Sequence, residues 1–446
     1  MLTFDVEEPR ASCLAAKTIY DELVSHDSLP DSEPKSALFT LLSFSLSDWT
    51  DCQRLSSLLS KRMPFLEELS ITFNHHVADQ FISFFMPTLD LQLSLYPSLR
   101  KLRLVGVSIN VSLLASQSLR HLCLQNHTGP DGSVLFTQFM ATVEAFPQLE
   151  ELEIRDFGRI LSTDCERPRR AAMLPRLKKF TIEEPPIITS LILENFYLPA
   201  TADVHILSDV LLQPEPDFGH TFAVLMPEDT RTLPILKELR KLEVKNVNNT
   251  FFLIGETPLR NKLTLEVNLD LEFLLGSMSD HVVLYESMMR NIGLVFYDSP
   301  ILVASFAGDL SGVTKNTWSH ALAPLTLLTE LTVEDTSPDS AGTTALFDAL
   351  ATKEGRFTQA NTPVTLCPSL DAVHVRGATY EQELLEQISH FLVERKDTQW
   401  MELCTVRPRC HGDGVIESTT LAKYQAEFGR FVQACSMDVL HDPMSV

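Results

Sequence analysis

The sequence predicts an α/β repeat fold in which short parallel strands build one curved sheet, with helices on its convex side. Three observations predict it. A short apolar phrase returns along the chain in one frame, helix-spaced apolar residues lie between its copies, and atypical segments lie at both ends. Such a fold grows in one dimension, so a chain of 446 residues need not divide into several globular domains.

The recurring phrase is Leu-x-x-Leu-x-Leu, often with proline two residues before its first leucine. The last two apolar positions of each copy are two residues apart, which is the alternation of a β-strand. One such strand cannot bury its apolar face alone, so the copies must stack, as in a leucine-rich-repeat solenoid. The clear copies read PFLEELSI, PSLRKLRL, QSLRHLCL, PQLEELEI, PRLKKFTI, ELRKLEV, LLTELTV and PSLDAVHV, with middle apolar residues Leu69, Leu102, Leu122, Leu152, Phe180, Leu242, Leu331 and Val373.

The copies are irregularly spaced. Their middle positions are 20 to 89 residues apart, whereas leucine-rich repeats run roughly 20–29 residues. We therefore expect degenerate copies within the two widest intervals. They are ADVHIL at Val204 and Ile206, KLTLEV at Leu265 and Val267, and NIGLVF at Leu294 and Phe296.

Between the strands, apolar residues recur at helical spacing. The segments QRLSSLLSKRM, DQFISFFMPTL and TALFDALATKEG can each cover one apolar stripe. Two longer segments show the spacing most clearly. They are SVLFTQFMATVEAF, with Leu135, Phe139, Val143 and Phe146, and ELLEQISHFLVERK, with Leu384, Ile388 and Phe391.

The ends of the chain differ from the repeats, which indicates three segments. Residues 1–36 read as a short helix and a polar linker. Residues 37–406 read as the solenoid, opening with the strand SALFTLLSFSL and closing with the strand WMELCTV. Residues 407–446 read as a loop, a capping helix with Phe428, Val432 and Cys435 on one face, and a loose tail after Met437.

Charge and cysteine content restrict the partners and the compartment. With 59 acidic and 36 basic residues the net charge is −23, which predicts neither a nucleic-acid nor a membrane partner. An acidic surface of this kind could also serve solubility alone. The chain starts without a signal-peptide pattern, and its eight dispersed cysteines form no CxxC pair. We expect a monomer with reduced thiols in the cytoplasm or nucleus.

The sequence lacks the common catalytic and nucleotide-binding motifs. It holds no GxSxG, P-loop, GxGxxG or HExxH pattern. The adjacent His75 and His76 fit a polar turn, and Cys404, Cys410 and His411 lack the second close pair of a structural zinc site. We therefore predict no catalytic residue, no metal site and no cofactor.

The concave face of the sheet is the predicted binding surface. Each strand should expose the residues that flank its buried pair, and mixed charge on a sheet suits a protein or peptide partner. A solvated face without a partner is the alternative. The candidate contact residues are Lys101, Arg103, His121, Gln125, Glu151, Glu153, Arg155, Lys179, Thr181 and Glu183. A basic loop with Arg167, Arg169 and Arg170 could dock an acidic or phosphorylated segment, or be simply solvated.

Over residues 37–400 the chain resembles the leucine-rich portion of fungal F-box proteins. The resemblance rests on SALFTLLSFSLSDWT, RLSSLLSKRMPFLEELSI, the P-x-L-x-x-L-x-[LIV] blocks and CPSLDAVHVRGATYEQELLEQISHFLVERK. It implies a repeat domain that holds a substrate for a cullin-type ubiquitin ligase. An F-box would normally open with a Leu-Pro helical signature and span some 40–50 residues. Leu29-Pro30 leads into DSEPKS instead, so no F-box is evident.

These patterns predict a non-enzymatic protein-interaction scaffold that acts like a substrate receptor, with a cullin-type ubiquitin ligase as a possible further partner. Two alternatives remain open. One is a hydrolase or transferase with an unrecognised site in residues 182–331. The other is a truncated product without function.

Overall fold

The computed structural model describes residues 39–46, 55–73, 88–89, 91–109, 117–125, 136–156, 171–209, 222–247, 250–268, 279–337, 339–351, 366–377, 382–395, 400–405, 418–430 and 434–439. Over these residues the fold is mixed α/β, and most strands of its large sheet run parallel. The chain divides into two compact units. Unit 1 comprises Met1–His205 with Pro227–Leu233, and unit 2 comprises Ile206–Met226 with Pro234–Val446.

The described strands of unit 1 are short. They are β1 (Leu41–Leu46), β2 (Glu68–Phe73), β3 (Thr88–Leu89), β4 (Lys101–Val105), β5 (Ser108–Ile109), β6 (His121–Gln125), β7 (Glu151–Arg155), β8 (Ala172–Met173), β9 (Lys179–Glu183), β10 (Phe196–Tyr197) and the start of β11 (Asp203–Asp209). Strands β1, β2, β4, β6, β7 and β9 follow one another in a parallel sheet. Strand β11 begins beside β9, where the Asp203 N–H donates to the Lys178 carbonyl at 2.8 Å. Two small parallel pairs, β3 with β5 and β8 with β10, complete the unit's strands among these residues.

The apolar frame of the sequence lies in the core of both units. In unit 1 the strand register places Leu69, Leu102, Leu122, Leu152 and Phe180 in one row across the sheet. All are at most 2 % exposed, as are Leu242, Leu331 and Val373 in unit 2. The prediction that the middle position of every clear copy is buried on a strand is therefore confirmed.

Several strands end in the same local geometry. The residue after β4 is Gly106 and the residue after β7 is Asp156, and both have positive φ, at 68° and 49°. Their N–H groups donate to Gln125 and Glu183, which end the next strands of the sheet. A side chain at Gly106 would place its Cβ 2.6 Å from the Phe73 carbonyl oxygen, so glycine is required there.

The helices of unit 1 supply the other side of its core. Helix α1 (Phe136–Glu144) lies where SVLFTQFMATVEAF predicts it, and α2 (Pro186–Asn195) follows β9. Phe196 connects the layers, because its ring contacts Phe139 of α1 and Phe180 of β9 edge-on, each with centroids 6.1 Å apart. Residues 55–59 are helical too, as QRLSSLLSKRM predicts.

Unit 2 continues with longer strands and more helices. Its strands are the end of β11, β12 (Lys241–Val247), β13 (Thr250–Glu256), β14 (Lys262–Asn268), β15 (Val303–Gly308), β16 (Glu330–Asp335), β17 (Ala372–Arg376), β18 (Trp400–Thr405) and β19 (Ala434–Val439). Its helices are α3 (Ile235–Glu238), α4 (Ser279–Val295), α5 (Lys315–Leu322), α6 (Ala341–Ala351), α7 (Gln382–Glu394) and α8 (Ser418–Phe428). Strands β12 and β15 to β19 pair in parallel in that order.

An antiparallel hairpin interrupts the parallel order of unit 2. Strand β13 pairs antiparallel with both β12 and β14. KLTLEV therefore forms a strand, as predicted, with Leu265 and Val267 buried. No helix separates β12, β13 and β14 along the chain, so this part departs from the predicted strand-and-helix unit.

Two assignments made from the sequence are wrong. NIGLVF was expected to be a strand, but Leu294 lies in α4, where it is 57 % exposed, and the following strand is β15. WMELCTV forms β18 as predicted, but it is not the last strand. Cys435 lies on β19 rather than on the capping helix, and β19 continues two residues beyond Met437. Of that helix, α8 keeps the buried Phe428.

The remaining segment predictions meet the structure only in part. The first strand is β1, as SALFTLLSFSL predicts, and the ADVHIL copy lies on β11 with Val204 and Ile206 buried. The predicted helices TALFDALATKEG and ELLEQISHFLVERK correspond to α6 and α7. The last two residues of DQFISFFMPTL, Thr88–Leu89, form β3 rather than the predicted helix. Segment 1–36, the rest of DQFISFFMPTL and the loop with Arg167, Arg169 and Arg170 lie outside the described residues.

Candidate protein-binding surface

Unit 1 carries a polar face opposite its buried rows. We define it as the side chains at the first, third and fifth positions of β2, β4, β6, β7 and β9. The register aligns them in three rows: Glu68, Lys101, His121, Glu151 and Lys179, then Ser70, Arg103, Cys123, Glu153 and Thr181, then Thr72, Val105, Gln125, Arg155 and Glu183. Since neighbouring strands lie about 4.8 Å apart, the face is about 19 Å wide.

Charged side chains of both signs lie along the first row. Lys101 Nζ lies 3.9 Å from Glu68 Oε2, and His121 Nδ1 lies 3.1 Å from Glu151 Oε2. Pairs this exposed contribute at most about 1 kcal/mol each to stability. The row therefore leaves most of its charge available to a partner.

Arg155 is tied into the sheet by two carboxylates. Its Nε lies 2.6 Å from Glu153 Oε1 on the same strand, and its Nη1 donates to Glu183 Oε2 on the neighbouring strand at 3.0 Å. The side chain is 34 % exposed. Reversing its charge would place three carboxylates together, so Arg155 is a poor probe of binding although it lies on the predicted surface.

Arg103 and Lys179 are the cations of this face that are best placed to contact a partner. Both side chains are exposed. Neither has an ion-pair partner among the residues that the structure describes, whereas Lys101 and Arg155 do. Their charge is therefore not consumed by the residues of unit 1 that the structure describes.

Cys123 lies in the middle row between Arg103 and Glu153. Burial first, and the Glu153 carboxylate second, raise the pKa of its thiol to about 11. The group is consequently a neutral thiol at physiological pH, which does not suit a nucleophile. It contributes a small half-buried surface to the centre of the face.

The predicted contact residues are therefore brought together on one face, with one exception. Thr181 is only 5 % exposed, so its expected exposure is wrong. In the register Thr181 pairs with Glu153 of the neighbouring strand. His121, Gln125, Glu153 and Glu183 are half-buried rather than fully exposed.

Two sets of polar residues were missed from the sequence. Glu68 directly precedes the middle leucine of its copy, as Lys101 does in the next one, so the same position in the phrase would have identified it. The residues directly before β6, β7 and β9 form a further ion-pair row. Arg120 Nη1 lies 3.1 Å and Lys178 Nζ 2.5 Å from the Glu150 carboxylate, and the hydrogen bond from Lys178 chiefly lowers the pKa of that group.

Unit 2 repeats the mixed-charge pattern on the corresponding positions of its own strands. Lys245 Nζ lies 2.8 Å from Glu243 Oε1 and 5.5 Å from the centre of the Phe252 ring. His374 Nε2 lies 3.8 Å from Glu330 Oε1 on the neighbouring strand. The cation of Lys245 is thus held by a carboxylate and an aromatic ring.

A buried polar cluster lies at the ends of β15 and β16 in unit 2. The Asp335 carboxylate, 1 % exposed, accepts bonds from the Ser337 N–H and hydroxyl and from the Thr343 hydroxyl at 2.9, 2.5 and 2.7 Å. Burial, helped by the Asp335 charge, raises the pKa of Tyr285. All three hydrogen bonds come from residues of the same turn and of α6, so Asp335 stabilises the turn that leads into α6.

Within the described ranges, no group of three or more His, Cys, Asp or Glu side chains is arranged to hold a metal ion. The same ranges hold no helix both long and apolar enough to cross a membrane. His75, His76, Cys410 and His411 lie outside them. Comparison with known protein families finds no family whose model matches this chain. No curated protein matches it either.

Proposed function

We propose that this chain is a non-enzymatic protein-binding scaffold whose polar face in unit 1 holds a protein or peptide partner. The observation that carries the proposal is the in-register array of mixed charge in which Arg103 and Lys179 are exposed and have no ion-pair partner among the described residues. Cations left uncompensated in a protein of net charge −23 favour contact with a carboxylate-bearing segment.

We further propose that the mixed α/β fold is a leucine-rich-repeat solenoid with this face on its concave side. It is supported by the buried phrase positions and by the repeated positive-φ residue after β4 and β7. A stacked sheet of this kind offers many small contacts at fixed spacing, which suits recognition of an extended surface. We propose a monomer that works in the cytoplasm or nucleus, without a nucleic-acid or membrane partner.

The resemblance to fungal F-box proteins suggests the role of the scaffold. In that role the repeats hold a substrate, and a separate module joins a cullin-type ubiquitin ligase. The ligase partner is a proposal that rests on the resemblance alone. Recovery of cullin-ligase components together with a substrate would support it.

The test is quantitative affinity capture from the cytosol of the source cells with three forms of the full chain. The first is the wild type, and the second carries Arg103→Glu and Lys179→Glu. The third carries Arg62→Glu and Arg176→Glu, which change the net charge equally at exposed positions of unit 1 outside the three rows of the polar face. Exposed charges contribute little to stability, so all three should fold.

We expect proteins that the wild type and the Arg62/Arg176 variant retain equally and that the Arg103/Lys179 variant loses. Retention of the same proteins by all three forms would place binding elsewhere. Equal loss by both variants would show that only the net charge matters. Turnover of a captured small molecule by the wild type would favour the enzyme alternative instead.

A further inference from the structure

The turn between β13 and β14 in unit 2 presents an exposed leucine and an exposed arginine side by side. Leu259 is 77 % exposed, as far as Ile187 and further than any other large apolar side chain that the structure describes. Arg260 follows it and is exposed too. An apolar side chain displayed this far into solvent at the tip of a hairpin contributes nothing to the core of unit 2.

The backbone of this turn is fixed and strained. Thr257 N–H donates to the Asn261 carbonyl, and Arg260 N–H donates to the Thr257 carbonyl, both at 2.9 Å. The Thr257 hydroxyl accepts the Asn261 N–H at 3.1 Å. Arg260 has φ of 68°, a conformation that glycine or asparagine adopts more readily. Strained positions of this kind often occur at functional sites, and here the hydrogen bonds of the turn hold Arg260 in this conformation.

Basic side chains surround the tip. The register places Lys241, Glu256 and Lys262 side by side at the ends of β12, β13 and β14. Leu239 packs on Gly255, where an added Cβ would lie 2.5 Å from its Cδ1, so residues 237–241 lie against the hairpin. Over residues 237–241 and 256–262 the chain carries five basic residues and two acidic ones. This is opposite in sign to the chain as a whole, whose net charge is −23.

The basic edge includes a second exposed apolar residue. Leu302, which is 38 % exposed, directly precedes β15, and its N–H donates to the Arg240 carbonyl at 2.8 Å. The Arg240 guanidinium is itself held by the Lys237 and Leu239 carbonyls at 3.2 and 2.9 Å. Since β12 lies between β13 and β15, these two strands are roughly 10 Å apart across the sheet.

We infer that this hairpin edge, Lys237–Lys241 with Thr257–Lys262 and Leu302, is a docking surface for an acidic peptide segment that carries an apolar side chain. The partner's carboxylates would face Lys241, Arg260 and Lys262, and its apolar side chain would cover Leu259. Charge complementarity selects this occupant, because the net charge here is positive on a strongly acidic chain. The inference concerns unit 2 and does not depend on the proposed function of the polar face in unit 1.

The test uses synthetic ten-residue peptide libraries with a fixed central leucine. In one library the flanking positions are Asp and Glu, and in a second they are Lys and Arg. A third keeps the acidic flanks and replaces the leucine by serine. Each library is passed over the immobilised full chain, and retained peptides are then measured by fluorescence anisotropy. The chain is used as wild type and as the variant Leu259→Ser with Arg260→Gly.

Arg260→Gly suits the test because glycine accepts the positive φ without strain, so the hairpin is retained while the guanidinium is removed. With Arg260→Gly alone, the melting temperature of the chain should equal or exceed that of the wild type. The control variant, Val393→Ser with Arg430→Gly, likewise removes one branched apolar side chain and one guanidinium, from exposed positions on and after helices of unit 2. It should bind as the wild type does.

We expect the acidic library with leucine to be retained by the wild type and the control. The Leu259/Arg260 variant should bind it at least roughly tenfold more weakly, as for a central contact pair. The basic and serine libraries should not be retained. Retention of no library, equal binding by the Leu259/Arg260 variant, or preference for the basic library would overturn the inference. Self-association of the chain that this variant abolishes would assign the edge to a second copy and would overturn it too.

Discussion

Two isoleucines five residues apart test whether the apolar frame supports unit 1. Ile182 is the last apolar position of the PRLKKFTI copy on β9 and is fully buried, whereas Ile187 on α2 is 77 % exposed. Replacing each by alanine removes the same three carbon atoms. The difference between the two variants therefore reports burial alone, apart from the propensities of strand and helix.

The magnitude follows from the two environments. At Ile182 the lost transfer free energy is about 2.4 kcal/mol, at about 0.8 kcal/mol per buried CH₂. The cavity that remains raises the cost to about 3–4 kcal/mol. At Ile187 a residual burial of about a quarter is worth roughly 0.5 kcal/mol, which the higher helix propensity of alanine offsets. We therefore expect no measurable effect at Ile187.

Differential scanning calorimetry of the full chain measures the difference. For a unit of about 200 residues, 1 kcal/mol shifts the melting temperature by roughly 2–4 °C. Ile182→Ala should lower the melting temperature of unit 1 by roughly 6–16 °C, and Ile187→Ala should leave it within about 1 °C. Equal melting temperatures, or a larger loss for Ile187→Ala, would refute the assignment of the frame to the core.

Two further predictions concern single polar groups. Thr343→Val should destabilise unit 2 by about 2 kcal/mol in urea titrations, because the buried Asp335 carboxylate loses a hydrogen bond, while Thr344→Val on the same helix should change stability by less than about 0.5 kcal/mol. Equal effects would contradict the role of the Asp335 cluster. Since the pKa of Cys123 is raised to about 11, iodoacetamide should label it at pH 8 roughly 100-fold more slowly than an ordinary thiol, as peptide mass spectrometry can measure. Glu153→Gln should speed the labelling, because removing the carboxylate lowers the pKa and increases the thiolate fraction, and a slower rate would contradict the position of Glu153.

The sequence was sufficient to predict the strands whose side chains repeat a frame. Leu102, Leu122 and Leu152 lie in register because each copy offers the same apolar pair to the same core. The polar face followed from alternation, since the residues between the apolar pair must point away from it. The burial of Thr181 could not be predicted in this way, because it depends on how neighbouring side chains pack in the folded sheet and not on the alternation along the strand.

The errors arose where the frame is absent or ambiguous. Strand β15 reads VASFAG, in which small residues replace leucine, so the nearby NIGLVF was assigned as a strand instead. In β13 the run Phe251–Ile254 is apolar throughout, which hides the alternation of a strand. Cys435 falls at helical spacing from Phe428, yet its segment pairs with β18 as β19. Parallel pairing with a neighbour is a tertiary property that local spacing does not encode.

The most direct test of the proposed scaffold is the affinity of a recovered partner for the polar face of unit 1. Isothermal titration calorimetry would compare the wild type, the Arg103→Glu/Lys179→Glu variant and the Arg62→Glu/Arg176→Glu variant at low and physiological salt. We predict that the first variant binds at least about tenfold more weakly, with a shallower salt dependence, and that the second binds within about twofold of the wild type. Equal affinity of the wild type and the Arg103/Lys179 variant at low salt would contradict the proposal that this face is the binding surface.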